Sequence, residues 1–423
     1  MATTTISTGT ISTGAGPPVD LTGVFDADLT PLREERRRGE APRFRTADDT
    51  WRLVEPYLRD YGITRVAHLT HLDHVGIPVH MAMKPSGRTL SSGSGKGITE
   101  LGSTLSAVME AIEQTYWEAA TPEMRIAPQA ELAAGTEPFV DVDTVPLMRD
   151  NIVSHTLPLR WMRYWDVVAG EQVWAPAETA YLPFPHEPYM ISGVLTSSNG
   201  LASGMHFLEA LLSGLMEVIE RDGITLGYLT GTARPVDPGT DASAPWAPLV
   251  ELVARAGLRL TVYDSATTDV GIPTYRASIK DPLEGVGTFA GYGAALDPDV
   301  AIVRAITEAA QGRCIVVAGA RDDIFEMQRR AGVRMSRRNA QQPVTPLQAR
   351  HDVDRSTGSI LGDVETCIER LRRAGFDRVL VHRYSADGDP VQVVRVVVPG
   401  LEGYKFGYYT PGPRARARLA KTP

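Results

Sequence analysis

The chain has 423 residues, 43% hydrophobic and 22% charged, a composition that suits a globular fold with a substantial core. Its net charge of −8 excludes a protein that grips nucleic acid mainly by electrostatics, because no basic excess exists to displace counterions. The two cysteines, Cys314 and Cys367, are too few for a disulfide framework or a cysteine zinc site, and no apolar run approaches the roughly 18 residues of a membrane helix. These features predict a reduced, cytoplasmic protein without nucleic-acid or membrane partners.

Residues 1–23 are rich in Thr, Ser and Gly, which predicts disorder, and REERRRGE continues them as a charged stretch, so 1–45 reads as an N-terminal arm. Folded structure is expected from about residue 46, where DDTWRLVEPYLRDYG offers a cap followed by helix-spaced apolar residues. A single catalytic domain is expected over 46–405, with 406–423 as a C-terminal tail.

Within that domain the chain repeats itself. VEPYLRDYGITRVAHLTHLDHVGIPVHMAM, LVELVARAGLRLTVYDSATTDVGIPTYRASI and CIERLRRAGFDRVLVHRYSADGDPVQVVRVV each read as helix, glycine, strand, Gly/Pro turn and second strand. The helix-ending glycines are Gly62, Gly257 and Gly375, and the turns begin at Gly76, Gly271 and Gly388. The fold class is therefore α+β, built from repeated helix–strand–strand units.

A second repeat aligns SAVMEAIEQ (106–114), SGLMEVIER (213–221) and RAITEAAQG (304–312) without gaps. Glu110, Glu217 and Glu308 share one column, and Glu113, Glu220 and Gln311 the next. Carboxylates three apart on apolar helices repel one another and are costly to bury unpaired. If the helices converge, Mg2+ bridging the carboxylates to nucleotide phosphates resolves the conflict, with Arg221, Arg313, Arg321 and Lys96 facing the phosphate oxygens. SSGSGKGIT (91–99) and SSNGLASGM (197–205) read as glycine-rich loops that bring backbone N–H groups to an anion, although the first is not a Walker A loop. The histidines of HLTHLDHVGIPVH (68–80) read as strand and turn residues rather than zinc ligands, since several alternate across predicted strands and no cysteine accompanies them. Cys314 reads as core.

SGSGKG, SAVMEAIEQ, SNGLASG, EALLSGLMEVIERD, GYGAALDPDVAIVRAITEAAQGR and AGARDD together resemble the successive blocks of the YcaO family, over roughly residues 65–325 and more weakly to about 405. The resemblance implies acidic helices converging on a nucleotide cleft and an ATP- and Mg2+-dependent enzyme. Such an enzyme phosphorylates a backbone amide oxygen of a ribosomally synthesised precursor peptide while a nucleophile adds to the carbon. The product is an azoline, an amidine or, with a sulfide donor, a thioamide. Carried over, Glu110, Glu113, Glu217 and Glu220 bind Mg2+ with the ATP phosphates. Arg221, Gln311 and Arg313 contact nucleotide with Glu308 in support, and Ser94 and Lys96 line the phosphate side. The resemblance identifies no catalytic base and makes a homodimer plausible.

Gln114 stands where the family usually has Arg, and TPGPRARARLAKTP replaces the terminal Pro-x-Pro-x-Pro tail of azoline-forming members. The first removes one cation from the expected cleft; the second shifts the expectation toward amidine or thioamide formation, or a divergent standalone cyclodehydratase. The short arm leaves no room for a fused leader-recognition domain, so direct peptide recognition or a separate leader-binding or sulfur-delivery partner is expected. A non-catalytic nucleotide-binding scaffold is the competing class, disfavoured by the retained acidic columns.

Overall fold

The three helix–strand–strand repeats fold as units. A computed structural model of the chain describes residues 19–25, 35–37, 39–182, 193–237, 242–266, 269–282, 287–319, 345–346, 354–403 and 409–421. The first unit comprises α1 (Ala47–Val54), β1 (Arg65–His68), β2 (Val79–Met83), β3 (Ser92–Lys96) and α2 (Glu100–Ala119). An intervening segment supplies β4 (Met124–Pro128), α3 (Gln129–Ala133), β5 (Leu147–Met148), β6 (Pro158–Asp166) and β7 (Glu171–Pro176), followed by β8 (Leu201–Gly204) and α4 (Phe207–Thr230). After β9 (Arg234–Asp237), the second unit is α5 (Ala247–Arg255), β10 (Arg259–Asp264), β11 (Thr274–Lys280), β12 (Thr288–Ala294) and α6 (Pro298–Val317). β13 (Thr345–Pro346), α7 (Ile360–Arg373), β14 (Leu380–Arg383), β15 (Gln392–Val397), β16 (Tyr409–Thr410) and α8 (Pro413–Leu419) complete the order.

Each repeat forms an antiparallel hairpin, β1–β2, β10–β11 or β14–β15. Gly62, Gly257 and Gly375 follow the three helices with φ of 75°, 70° and 90°, a left-handed turn that a side chain would strain. A third strand joins each hairpin, giving β1-β2-β3, β10-β11-β12 and β14-β15-β8 as three-strand runs within the sheets. That third strand leads into an acidic helix: β3 into α2, β12 into α6 and β8 into α4. The two sequence repeats are therefore parts of one structural unit, and in the third unit β8 and α4 precede the hairpin they complete.

Helix and strand touch closely at these junctions. A Cβ on Gly93 would lie 2.5 Å from the carbonyl oxygen of Ala107, and one on Gly95 2.0 Å from that of Ser103. Gly291 and Gly293 meet α6 equivalently, 2.1 Å from Ala309 N and from the Ala301 carbonyl oxygen. This corrects the reading of SSGSGKGIT and SSNGLASGM as phosphate loops: Ser92–Lys96 and Leu201–Gly204 are strands. The glycines of β3 serve helix packing, and only the alternate side chains of that strand are free to face a ligand.

The described residues of the N-terminal arm pack on this core. Leu21 is buried, Asp20 N donates to the Val167 carbonyl at 2.9 Å, and Phe25 stacks on Phe207 with centroids 4.9 Å apart. The disorder expected of residues 1–23 is corrected for 19–23, which Leu21 and Asp20 fix to the core, while residues 1–18 lie outside the described residues. Both cysteines are buried and unpaired with one another, and burial pushes the Cys314 thiol up to about 12. Among the described residues, no helix is long and apolar enough to cross a membrane.

Replacing Gly291 by Ala drives a methyl group into the α6 backbone and should lower stability by about 3 kcal/mol in urea unfolding. Gly358→Ala, where an added Cβ has no heavy atom within 4 Å, should stay within about 0.5 kcal/mol of wild type.

Candidate active site

The acidic columns converge. Glu110 and Glu113 come from α2, Glu217 and Glu220 from α4, and Glu308 from α6. Each helix presents its pair on one face because residues three apart share a side. The charges of Glu110 and Glu217 both bear on Glu113, and that of Glu308 bears on Glu217 and Glu220. Glu220 is buried, while Glu110, Glu113, Glu217 and Glu308 are half-buried in the cleft between the helices.

Three strand residues at one register position hold this arrangement. Ser94, Tyr292 and Ser203 face Met81, Arg276 and Val393, which lie equally far beyond the turn glycines of their units. Ser94 N donates to Glu110 Oε2 at 3.1 Å, and the Ser203 hydroxyl donates to Glu113 Oε1 at 2.7 Å. The Tyr292 ring lies 5.5 Å from the Arg221 guanidinium. Only Ser94 of these three was singled out in the sequence.

Cations interleave with the acids. Lys96 Nζ is 2.8 Å from Glu308 Oε2, and this partner holds the Glu308 carboxyl below its ordinary range against burial. Arg221 Nε lies 3.8 Å from Glu220 and 4.0 Å from Glu217, and the carboxylates keep the guanidinium firmly protonated. Arg304, one turn before Glu308, favours the ionised forms of Glu217, Glu220 and Glu308. Arg395, fully buried on β15, also bears on Glu217, while its Nη1 donates to the Ser197 and Asn199 carbonyls at 2.9 and 2.7 Å. Neither Arg304 nor Arg395 was read from the sequence as a site residue. Arg304 opens the aligned acidic segment and could have been found there; Arg395 lies in a valine-rich strand that carries no signal.

These cations do not neutralise the cleft. Burial, together with Glu110 and Glu217, raises the Glu113 carboxyl to about 8, and burial with Glu308 raises Glu220 to about 7. Glu217 is also raised, burial first and Glu308 adding to it. The buried Nε of Arg304 has no hydrogen-bond partner among the described residues. Carboxylates short of positive charge beside an unsatisfied guanidinium nitrogen fit a divalent cation together with a polyanion. Glu110, Glu113, Glu217 and Glu220 have the oxygen donors for Mg2+, and Lys96, Arg221 and Arg304 have the charges for phosphate.

Gln311 is buried one turn beyond Glu308. Arg313 departs from the reading that gave it to the nucleotide. Helical geometry turns it about 140° from Glu308, and it donates from Nε to Asp73 Oδ2 at 2.9 Å as a buried ion pair. Arg321 lies outside the described residues.

The residue after Arg221 ties in the C-terminal segment. The buried Asp222 pairs with Arg414 of α8, which also reaches Asp269 at 2.6 Å, as does Arg418. The buried Glu402 accepts from Gly412 N and Ala415 N, each at 3.0 Å. The RARAR segment of the expected C-terminal tail is a helix docked against α4 because the cationic face it presents matches a buried aspartate.

The family model described as YcaO cyclodehydratase, ATP- and Mg2+-binding, matches residues 94–402. The chain belongs to the YcaO family, whose domain binds ATP and Mg2+. It is 34% identical over 410 residues to an uncharacterized protein from the tfuA 3′ region of Rhizobium leguminosarum bv. trifolii, covering 90% of this chain and 95% of that one. An uncharacterized Methanothermobacter thermautotrophicus protein is also 34% identical, over 370 residues, covering 85% of this chain and 94% of the relative. The fold matches YcaO from Methanopyrus kandleri bound with AMPPCP and Mg2+, with a TM-score of 0.70 at 22% identity, covering 88% of this chain and 95% of that one. It also matches a heterocyclase in complex with substrate and cofactor, with a TM-score of 0.69 at 24% identity, covering 88% of this chain and 55% of that one.

Because Glu113 and Glu220 titrate above their ordinary value of 4.5, the folded ligand-free state binds more protons than the unfolded chain between about pH 4.5 and 8. Its stability should therefore fall as pH rises through 7 to 8, and Glu113→Gln should flatten that slope in thermal melts. Mg2+–ATP binding near pH 7 should release protons, detected by calorimetry in buffers of different ionisation heat. Arg414→Ala should destabilise the fold by about 3 kcal/mol, by leaving Asp222 buried without its cation, as read in urea unfolding.

Proposed function

We propose that this chain activates a backbone amide of a ribosomally synthesised peptide with ATP and Mg2+, as a cyclodehydratase of the YcaO type. The observation that carries the reading is the convergence of carboxylates from three helices into one cleft that remains short of positive charge. A scaffold without turnover has no use for such mutual repulsion.

When bound, ATP supplies the phosphoryl group that makes the amide oxygen a leaving group, and Mg2+ offsets the phosphate charge. The chain's own residues bind and orient. Glu110, Glu113, Glu217 and Glu220 would hold the cation, losing the protons that burial favours on Glu113 and Glu220. Ser94 and Ser203 fix the rotamers of Glu110 and Glu113. Lys96, held by Glu308, and Arg221, held against Tyr292, would meet phosphate oxygens as preorganised charges, which cost little reorganisation when the transition state forms. Arg395 adds positive charge behind Glu217.

A second reading is thioamidation with a separate partner. The relative from the tfuA 3′ region matches nearly end to end, which makes a tfuA product a candidate partner for this chain. The two readings differ in product mass. Cyclodehydration removes one water from the peptide, whereas thioamidation exchanges an oxygen for sulfur and requires a sulfide source.

Glu217→Gln and Glu220→Gln should weaken Mg2+-dependent ATP binding at least about a hundredfold, while circular dichroism stays that of the wild type. Wild-type affinity in calorimetric titration of these variants would remove the site assignment.

A further inference from the structure

A second group of metal-binding side chains lies outside the acidic cleft. His68 on β1 and His80 on β2 face each other in the antiparallel register. Glu100, the first residue of α2, reaches both: its Oε2 lies 3.1 Å from His68 Nε2 and 3.6 Å from His80 Nε2. The three ligand atoms all fall within 4.8 Å of one another. Two donors each about 2.1 Å from a tetrahedral zinc ion stand about 3.4 Å apart. The measured separations from Glu100 bracket that value.

The proton positions around His80 point the same way. Ser103 Oγ donates to the Glu100 carbonyl at 2.9 Å, so it accepts from His80 Nδ1 at 2.7 Å. This hydrogen-bond chain assigns the His80 proton to Nδ1 and leaves a lone pair on Nε2. His80 is only 8% exposed, and its Nε2 faces the Glu100 carboxylate at 3.6 Å. An imidazole oriented through its other nitrogen by a hydroxyl is also the outer-shell pattern of metal-bound histidine. His68 stacks parallel to His80, with centroids 4.7 Å apart, and its Nε2 now meets Thr70 Oγ1 at 2.8 Å. Its side chain is 42% exposed, so the ring has room to rotate toward a shared ion.

We propose that His68, His80 and Glu100 form a second cation site that takes one zinc-class divalent ion, with solvent in the fourth position. Two imidazoles and one carboxylate select such an ion over Mg2+, which favours all-oxygen ligands. Along the sequence alone the histidines read as strand and turn residues, since no cysteine accompanies them; folding brings a carboxylate from the start of α2. Glu100 and Glu110 are ten residues apart on one helix, about 15 Å along its axis, so this site is separate from the acidic cleft. An ion here clamps the β1–β2 hairpin to the first turn of the helix that carries Glu110 and Glu113.

The test titrates Co2+ into the chelator-treated full chain with excess Mg2+ and ATP, following the visible d–d absorption. One equivalent should give a tetrahedral imidazole–carboxylate band that Zn2+ abolishes. Glu100→Gln, at an exposed position, should weaken Co2+ binding at least about tenfold, as should Ser103→Ala through loss of the outer-shell hydrogen bond. His80→Ala should remove the band, and Glu217→Gln should leave it unchanged. No band in the wild type, or one that survives in both Glu100→Gln and His80→Ala, overturns the proposal.

Discussion

The constraint that organises this protein is the mutual repulsion of five glutamates drawn from three helices. Burial and like charge together push the Glu113 carboxyl to about 8 and Glu220 to about 7, so the cleft retains protons that free carboxylates would have lost at neutral pH. Lys96 neutralises Glu308, Arg221 lies beside Glu217 and Glu220, and Ser203 holds Glu113. These contacts contain the repulsion without abolishing it. What remains is a site whose favourable occupant is a divalent cation with a polyanion.

The architecture follows from bringing those helices together. Gly93 and Gly95 let α2 lie directly on β3, and Gly291 and Gly293 let α6 lie directly on β12; a methyl group at any of them would collide with helix backbone. Close approach puts the next strand residues, Ser94 and Tyr292, level with the acidic face. The third unit achieves the same with β8 and α4, although its hairpin arrives at the other end of the chain. The Asp222–Arg414 pair then ties the C-terminal helix to the turn of α4 beside Glu220 and Arg221. The stability of that ion pair is thereby coupled to the positioning of the cleft.

Family membership and the cleft support each other, and the departures of this chain have physical content. Gln114 replaces a cation expected beside the acids and is buried, with Nε2 3.4 Å from the Ser92 carbonyl. Arg304 and Arg395 contribute positive charge that the sequence motifs did not reveal. Arg313 is committed to Asp73 and braces the loop between β1 and β2, next to the histidine group, rather than the phosphates.

Much of this was legible in the sequence because it depends on local rules. A glycine after each apolar helix, a Gly/Pro turn between β-branched runs and carboxylates three apart on a helix define units whose geometry is set within a few residues. The order of the motif blocks was enough to indicate the family. Three features depended on tertiary structure, because each joins residues far apart in the chain. SGSGK became a strand because α2 packs on its glycines; backbone proximity to a helix leaves no local signal. Arg313 turned to Asp73 because the helix phase sets it away from the acidic face. RARAR became a docked helix because Asp222 is buried and requires a cation, a demand that arises only once α4 is covered. Sequence determined the repeated units and the chemistry of their side chains, whereas tertiary packing decided which charges face each other, since electrostatic and packing energies depend on distances through space.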